Sequence, residues 1–472
     1  MTKKILVVAI VAVTLFALIG CDVGYDDVKC EYDVKLYYDD AEKTLSCFEN
    51  VKFTNNTGET LEDIAFSFYP LAFGEKGNVA NESAGAAYPF GVNYAKTDIS
   101  AVRVRGNDAS YTVGEELPYI TLALDRPLAN KKSVDVEIEF SVKLPKNRLR
   151  FGYNSTSVNL GNFLPLVAVR KSGEWVKERY YLNGDPFYSG NAKFDVTLEV
   201  DSKLSAVMTG DAECKEAGGK KTYRSVADNV RDFAAVISEN GKVLTKEENG
   251  ITFNYLHSGD SDPAKSLDTA VRAIAVFSDK FGEYGYASFS MAETDFSEGG
   301  MEYPTLIYIA KGLGELDRER VIVHEVAHEW WYGIVGVDEV NDYFIDEGLA
   351  EYSTALYYRA VGEEKFADTL LKIAKNSYVT YYADIKSDER DESMGRHLSL
   401  IGNTEYYHQA YNKSMLTFEF ISNTMGEKDF IARLRSIVKK YRHKNISREQ
   451  FMKEFGKYGD LIESFVCGKS VF

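Results

Sequence analysis

The chain has 472 residues, 45% hydrophobic and 13% aromatic, an ordinary globular composition with room for two or three domains, so long disorder is excluded as its default state. A formal charge of −17, from 55 Lys and Arg against 72 Asp and Glu, disfavours nucleic acid or an anionic membrane surface as the main partner.

Lys3-Lys4 precede a run of 15 mainly apolar residues, Ile5 to Ile19. That is short of the roughly 20 a membrane-spanning helix needs and suits the core of a signal peptide. Leu18-Ile19-Gly20-Cys21 resembles the bacterial lipobox, which implies that residues 1–20 are removed and that Cys21 is lipidated as the new N-terminus. An ordinary cleaved signal is the alternative. More than one acyl chain on Cys21 makes anchoring stable. The link from Asp22 to about Val28 reaches on the order of 25 Å, so the expected location is extracytoplasmic, at the cell membrane.

Cys30, Cys47, Cys214 and Cys467 are free to form disulfides outside the cytoplasm, with connectivity undetermined. A hairpin of Tyr32–Tyr38 with Thr44–Thr54 predicts Cys47 opposite Lys35 and Cys30 opposite Lys52, too far apart to bridge each other. Up to about residue 245 the pattern is β. Val134, Val136, Ile138, Phe140 and Val142 alternate with polar residues, as do Phe194, Val196, Leu198 and Val200, and Ile64, Phe66 and Phe68. Asn56-Thr57-Gly58 and Gly106-Asn107-Asp108 are turn signals. The polar segment Glu239 to Gly250 marks the change of domain, giving an N-terminal β domain over 21–245 and a second domain over 246–472. Beyond it Leu267, Ala270, Val271, Ile274 and Phe277 recur at helical spacing, and Gly282 closes the run.

Val321 to Tyr332 reads as a helix with acids near its start, apolar contacts at Val321, Ile322, Val326 and Trp330, and a stop at Gly333. It contains His324-Glu325-Val326-Ala327-His328, the pattern H-E-x-x-H. Residues four apart share a helix face, so the two imidazoles can grip one metal ion with Glu325 beside it. A catalytic zinc needs a further protein ligand. After His328 eighteen residues intervene before Glu347, which lies ahead of a second helix predicted over Ala350 to Ala360. Asp338, Glu339, Asp342, Asp346 and Glu351 crowd the same stretch, and Asp346 is the runner-up ligand. The metzincin pattern, which needs Gly at 331 and His at 334, fails on Trp331 and Ile334.

H-E-x-x-H, eighteen residues, then glutamate resembles the ligand spacing of the M1 zinc metallopeptidases, gluzincins that are mainly aminopeptidases. Gly299-Gly300-Met301-Glu302-Tyr303 is similar to the family's G-x-M-E-N motif, with Tyr303 in place of Asn, and Tyr411-Asn-Lys-Ser-Met415 to its catalytic-tyrosine segment. Phe163–Val167 with Trp175, Gly184–Ser189 and Arg231–Ala234 resemble segments of its N-terminal domain.

The resemblance implies an α+β protein, a saddle-like antiparallel β domain followed by a thermolysin-like, mainly helical catalytic domain. One zinc ion per chain would sit on His324, His328 and Glu347, with Glu325 and Tyr411 catalytic. Gly299, Gly300, Met301 and Glu302 would bind peptides with a free N-terminus, and Glu302 would take the α-ammonium, a contact worth about 4 kcal/mol at 4 Å and an effective dielectric of 20. Glu351 is a candidate to orient a ligand histidine. Only 61 residues follow Tyr411, so the expectation is a short lipoprotein-like member without the C-terminal helical domain of larger members, its cleft more open. A zinc endopeptidase and a catalytically weak peptide-binding surface lipoprotein are the competing functions.

Overall fold

The computed structural model describes residues 28–83, 85–114, 116–386 and 390–472. The signal peptide over 1–20 and lipidated Cys21 lie outside these residues. No helix among the described residues is long and apolar enough to cross a membrane.

The alternating strands build an eight-stranded sheet. Its order is Asp211–Ala217, Lys220–Val230, Ala192–Asp201, Val28–Asp39, Thr44–Asn55, Ser133–Lys143, Lys96–Val104 and Asn107–Asp108. Neighbours are antiparallel except Val28–Asp39 and Ala192–Asp201, which pair in parallel. The long excursion between those two supplies one four-stranded sheet whole and two strands, Phe151–Tyr153 and Val158–Leu160, of a second. Along Ser133–Lys143 one face is buried and the other wet, the consequence of a side-chain period of two.

The first hairpin sits one residue away from its expected register: Cys47 faces Leu36 and Cys30 faces Phe53. Asp39 pairs with Thr44, because the Asp39 carboxylate accepts from the amides of Ala41 and Glu42 and folds a four-residue turn, with Lys43 at φ 52°. Cys30, Cys47, Cys214 and Cys467 are all free thiols, the first two buried.

Within the polar segment 239–250, Lys242–Glu248 is an edge strand of a five-stranded sheet that continues through Ile251–His257, Ser288–Thr294, Leu306–Ala310 and Gly300–Tyr303. The sheet therefore begins before residue 246. Helix Pro263–Phe281 follows, capped by Asp262 at its start and by Gly282 at φ 113°. The two-histidine helix runs Glu315–His328 and continues as a π-helical turn over Glu329–Ile334, so Gly333 lies inside the wider turn rather than stopping the α-helix. The second helix starts earlier than predicted, at Tyr343, and carries Glu347 within its body.

The expectation of a member lacking a C-terminal helical domain is corrected by the fold. Helices Glu364–Ala383, Ser414–Met425, Glu427–Tyr441, Arg448–Glu454 and Gly459–Val466 complete a full helical domain. Phe418, Phe430, Leu434, Phe451 and Ile462 bury with Val323, Val326 and Trp330 of the two-histidine helix in one core. The residues after Tyr411 are thus consumed in packing against the helix that carries Glu347 and against Pro263–Phe281, which a count of chain length does not reveal. A Ser447 and Gln450 capping box starts the helix Arg448–Glu454.

The β domain and the five-stranded sheet share a core too: Met301, Tyr303 and Tyr308 pack with Leu160, Phe233 and Val236. Gly161 permits this, since a Cβ there would overlap the Tyr303 hydroxyl. Gly161→Ala is expected to cost about 1–3 kcal/mol of stability through overpacking, read as a lower denaturant midpoint at unchanged slope.

Candidate metal centre and cleft

Helical spacing brings His324 and His328 to one face, with their Nε2 atoms 3.0 Å apart. Oε2 of Glu347, from the second helix, lies 3.2 Å from the first and 3.4 Å from the second. Ligand atoms at about 2.0–2.1 Å from a tetrahedral zinc stand roughly 3.3–3.4 Å apart, so the three atoms have the separation zinc requires. That Glu347 oxygen is buried without a hydrogen-bond partner. A buried acceptor facing two ring nitrogens calls for a shared cation. The His/His/Glu set therefore fits zinc by donor type, spacing and the unpartnered oxygen. Burial raises the Glu347 carboxyl, but its contacts with both imidazoles outweigh that and hold it well below the usual range.

Asp346, the runner-up ligand, does another job: its Oδ1 lies 2.6 Å from Nδ1 of His328. That contact turns the Nε2 lone pair toward the metal position. Glu351, a candidate to orient a histidine or simply to face solvent, stands 3.3 Å from Nδ1 of His324 and is paired with Arg320 at 3.6 Å, so it sits beside the ligand ring. Glu325 is buried, and burial pushes its carboxyl up to about 7, close to the value that suits a proton acceptor at neutral pH.

Gly300–Tyr303 is the edge strand of the five-stranded sheet and lies along the two-histidine helix. A Cβ on Gly299 would touch Val321, and one on Gly300 would collide with the Glu325 carboxylate. Only glycine admits the strand this close. Glu302 is buried, with an oxygen within 4.8 Å of ligand atoms of Glu325 and His328. Met301 turns away into the core shared with the β domain. Tyr303, standing where the resembling motif has Asn, donates its hydroxyl to Asn162 at 2.7 Å and so ties the edge strand to the β domain. Tyr411 donates to Oε1 of Glu347 at 2.5 Å from the π-helical turn Tyr407–Lys413. Burial and the adjacent Glu347 carboxylate push its phenol well up, leaving it a neutral donor.

Three residues of the site escape the sequence reading. Asp185 and Glu339 bring carboxylate oxygens within 4.8 Å of each other and of Glu302, and Glu339 is 2% exposed with neither oxygen hydrogen-bonded. Buried Arg150 holds Asp185 at 2.5 Å and Glu298 at 3.2 Å. Asp185 lies in the Gly184–Ser189 stretch already singled out, but its neighbours come from three distant parts of the chain, so no local pattern marks it. His324, His328, Glu347, Glu325, Glu302, Asp185, Arg150 and Tyr411 all line a cleft of about 730 Å³.

The Peptidase family M1 domain matches residues 265–467. Human aminopeptidase B is 21% identical over 56% of this chain and 42% of its own length, and aminopeptidase M1-B of Oryza sativa subsp. japonica is 24% identical over 55% and 31%. The chain thus matches less than half the length of these relatives. The fold is similar to the M1 zinc metallopeptidase from Deinococcus radiodurans, with a TM-score of 0.70, 17% identity and coverage of 95% of this chain and 96% of that one. A mutant form of a two-domain M1 zinc metallopeptidase bound to L-arginine aligns over 95% and 96%, at TM-score 0.68 and 16% identity. End-to-end alignment with a two-domain protein agrees with the complete helical domain and against a shortened one.

Asp346→Asn is expected to weaken zinc binding by about 10–100-fold, read by competition with a chromogenic chelator, because the ligand ring loses its anionic partner. Chelation of the purified protein is expected to lower its melting temperature, and added zinc to restore it.

Proposed function

We propose that the chain is a zinc-dependent aminopeptidase that hydrolyses the first peptide bond of peptides with a free N-terminus. The observation that carries this reading is the group of carboxylates, Glu302 with Asp185 and Glu339, beside the His/His/Glu set. Three converging acids, one of them buried without a partner, call for a cation, and a peptide's α-ammonium offers three N–H donors and a positive charge. An internal peptide segment has no charge to place there.

Zinc on His324, His328 and Glu347 supplies Lewis acidity toward the scissile carbonyl and toward water. Glu325, held against the edge strand, accepts the proton of the attacking water and returns it to the leaving amine. The Tyr411 hydroxyl, which donates to Glu347 beside the ligand set, is the neutral donor that would serve a developing oxyanion. Glu302 and Asp185 seat the ammonium, which leaves only the first carbonyl at the reacting position.

The apolar run ending in Cys21 supports a further proposal, that the enzyme works outside the cytoplasm on a lipid tether. Cells expressing the full chain and fed a radiolabelled fatty acid are expected to label it, and Cys21→Ala to abolish the label.

Leu-, Ala- and Arg-aminoacyl fluorogenic substrates are expected to be cleaved by the zinc-loaded protein, and their N-acetyl forms to be inert. Equal turnover of free and acetylated forms favours an endopeptidase instead. Glu325→Gln is expected to lower kcat by at least about 100-fold with the metal retained, and Tyr411→Phe by about 10²–10³-fold, with KM little changed.

A further inference from the structure

The edge strand gives the cleft a direction. Glu302, in the strand's C-terminal half, lies by His328, Asp185 and Glu339; Gly300, its first residue, lies against Glu325; Gly299, just before it, lies against Val321. Strand and helix therefore run alongside each other, from Val321 to His328, with the His324 and Glu325 side chains between. If the α-ammonium sits at Glu302 and the first carbonyl at the His/His/Glu set, as the proposed function requires, the rest of the peptide leaves toward Gly299 and the first turns of the two-histidine helix.

That end of the cleft differs in character from the acidic end. Leu316 and Val321 line it from the two-histidine helix, and Phe366, Leu370 and Ile373 from the helix Glu364–Ala383. The spacing of those three, four and then three residues, aligns them on one helix face. Leu316 is 56% and Ile373 57% exposed, large apolar side chains from two helices left open to water in the same cleft. The charged groups among them are Arg320, which is paired with Glu351, and exposed Asp317. An acidic side chain arriving here meets the Asp317 carboxylate, and an apolar one meets apolar side chains contributed by two helices.

We propose that this surface binds the side chain of the residue immediately after the scissile bond, so that the enzyme selects peptides whose second residue is bulky and apolar. Leu316 and Ile373 are its specificity-determining residues. The selection rests on the aminopeptidase reading, since it is the anchored amine that places the second residue there. Burying an otherwise exposed Phe or Leu side chain against the apolar lining that includes Leu316 and Ile373 supplies the discrimination.

The test compares alanine release from Ala-Phe-Ala, Ala-Leu-Ala, Ala-Gly-Ala and Ala-Asp-Ala by the zinc-loaded full chain. The Phe and Leu peptides are expected to exceed the Gly peptide in kcat/KM by about 10–100-fold, with the Asp peptide lowest. In the Leu316→Ser, Ile373→Ser double variant, altered only at exposed positions, the Phe-to-Gly ratio is expected to fall by about tenfold. Calorimetry on Glu325→Gln gives a readout independent of turnover: Ala-Phe-Ala should bind more tightly than Ala-Gly-Ala, and the double substitution should erase the difference. Equal rates from all four peptides, or a ratio unmoved by the double substitution, overturns the pocket and leaves the aminopeptidase reading standing. Release of alanine from none of them overturns both.

Discussion

Two imidazole nitrogens and one carboxylate oxygen, all buried and 3.0–3.4 Å from one another, are the constraint around which the catalytic half is built. Such a cluster is costly to bury without a cation, and the surrounding groups are arranged to hold it ready for one. Asp346 turns one ring, Glu351 with Arg320 lies behind the other, and Tyr411 bonds the remaining oxygen of Glu347. The helices that follow Tyr411 pack on the second helix, which carries Glu347, and on Pro263–Phe281, within the core that also holds the two-histidine helix. Rigid support of this kind is what keeps ligand atoms within a fraction of an ångström of their required places.

The edge strand is the second fixed element, and the β domain fixes it. Tyr303 reaches across to Asn162, which donates in turn to buried Asp232. Arg150 and Asp185, both from the β domain, add charge to the same wall of the cleft. The N-terminal half is therefore part of the site and not merely a spacer in front of it. One consequence is a gradient along the cleft: carboxylates at the Glu302 end, metal-binding side chains in the middle, and apolar side chains at the Leu316 end.

Local pattern was enough to read the elements that carry chemistry. The period of 3.6 placed His324 and His328 together, the period of two marked the strands, and Glu347, nineteen positions beyond His328, was singled out as a ligand before its position in space was known. Signals of this kind are legible because they depend on neighbours within one or two turns of chain. The one-residue difference in the first hairpin shows the limit, since a side-chain bond from Asp39 chose the turn and hence the register.

Tertiary structure decided the rest. Asp346 and Glu347 are adjacent acids on one helix, and only the packing of that helix against the two-histidine helix separates the ring-orienting residue from the ligand. Asp185, Glu302 and Glu339 lie more than a hundred and then more than thirty residues apart, and no periodicity links them. The extent of the helical domain after Tyr411 depended in the same way on which faces found partners, not on how many residues remained. By itself the sequence determined which residues could share a local surface. Which distant surfaces meet is set by burial and shape summed over the whole chain, and that sum has no local signature.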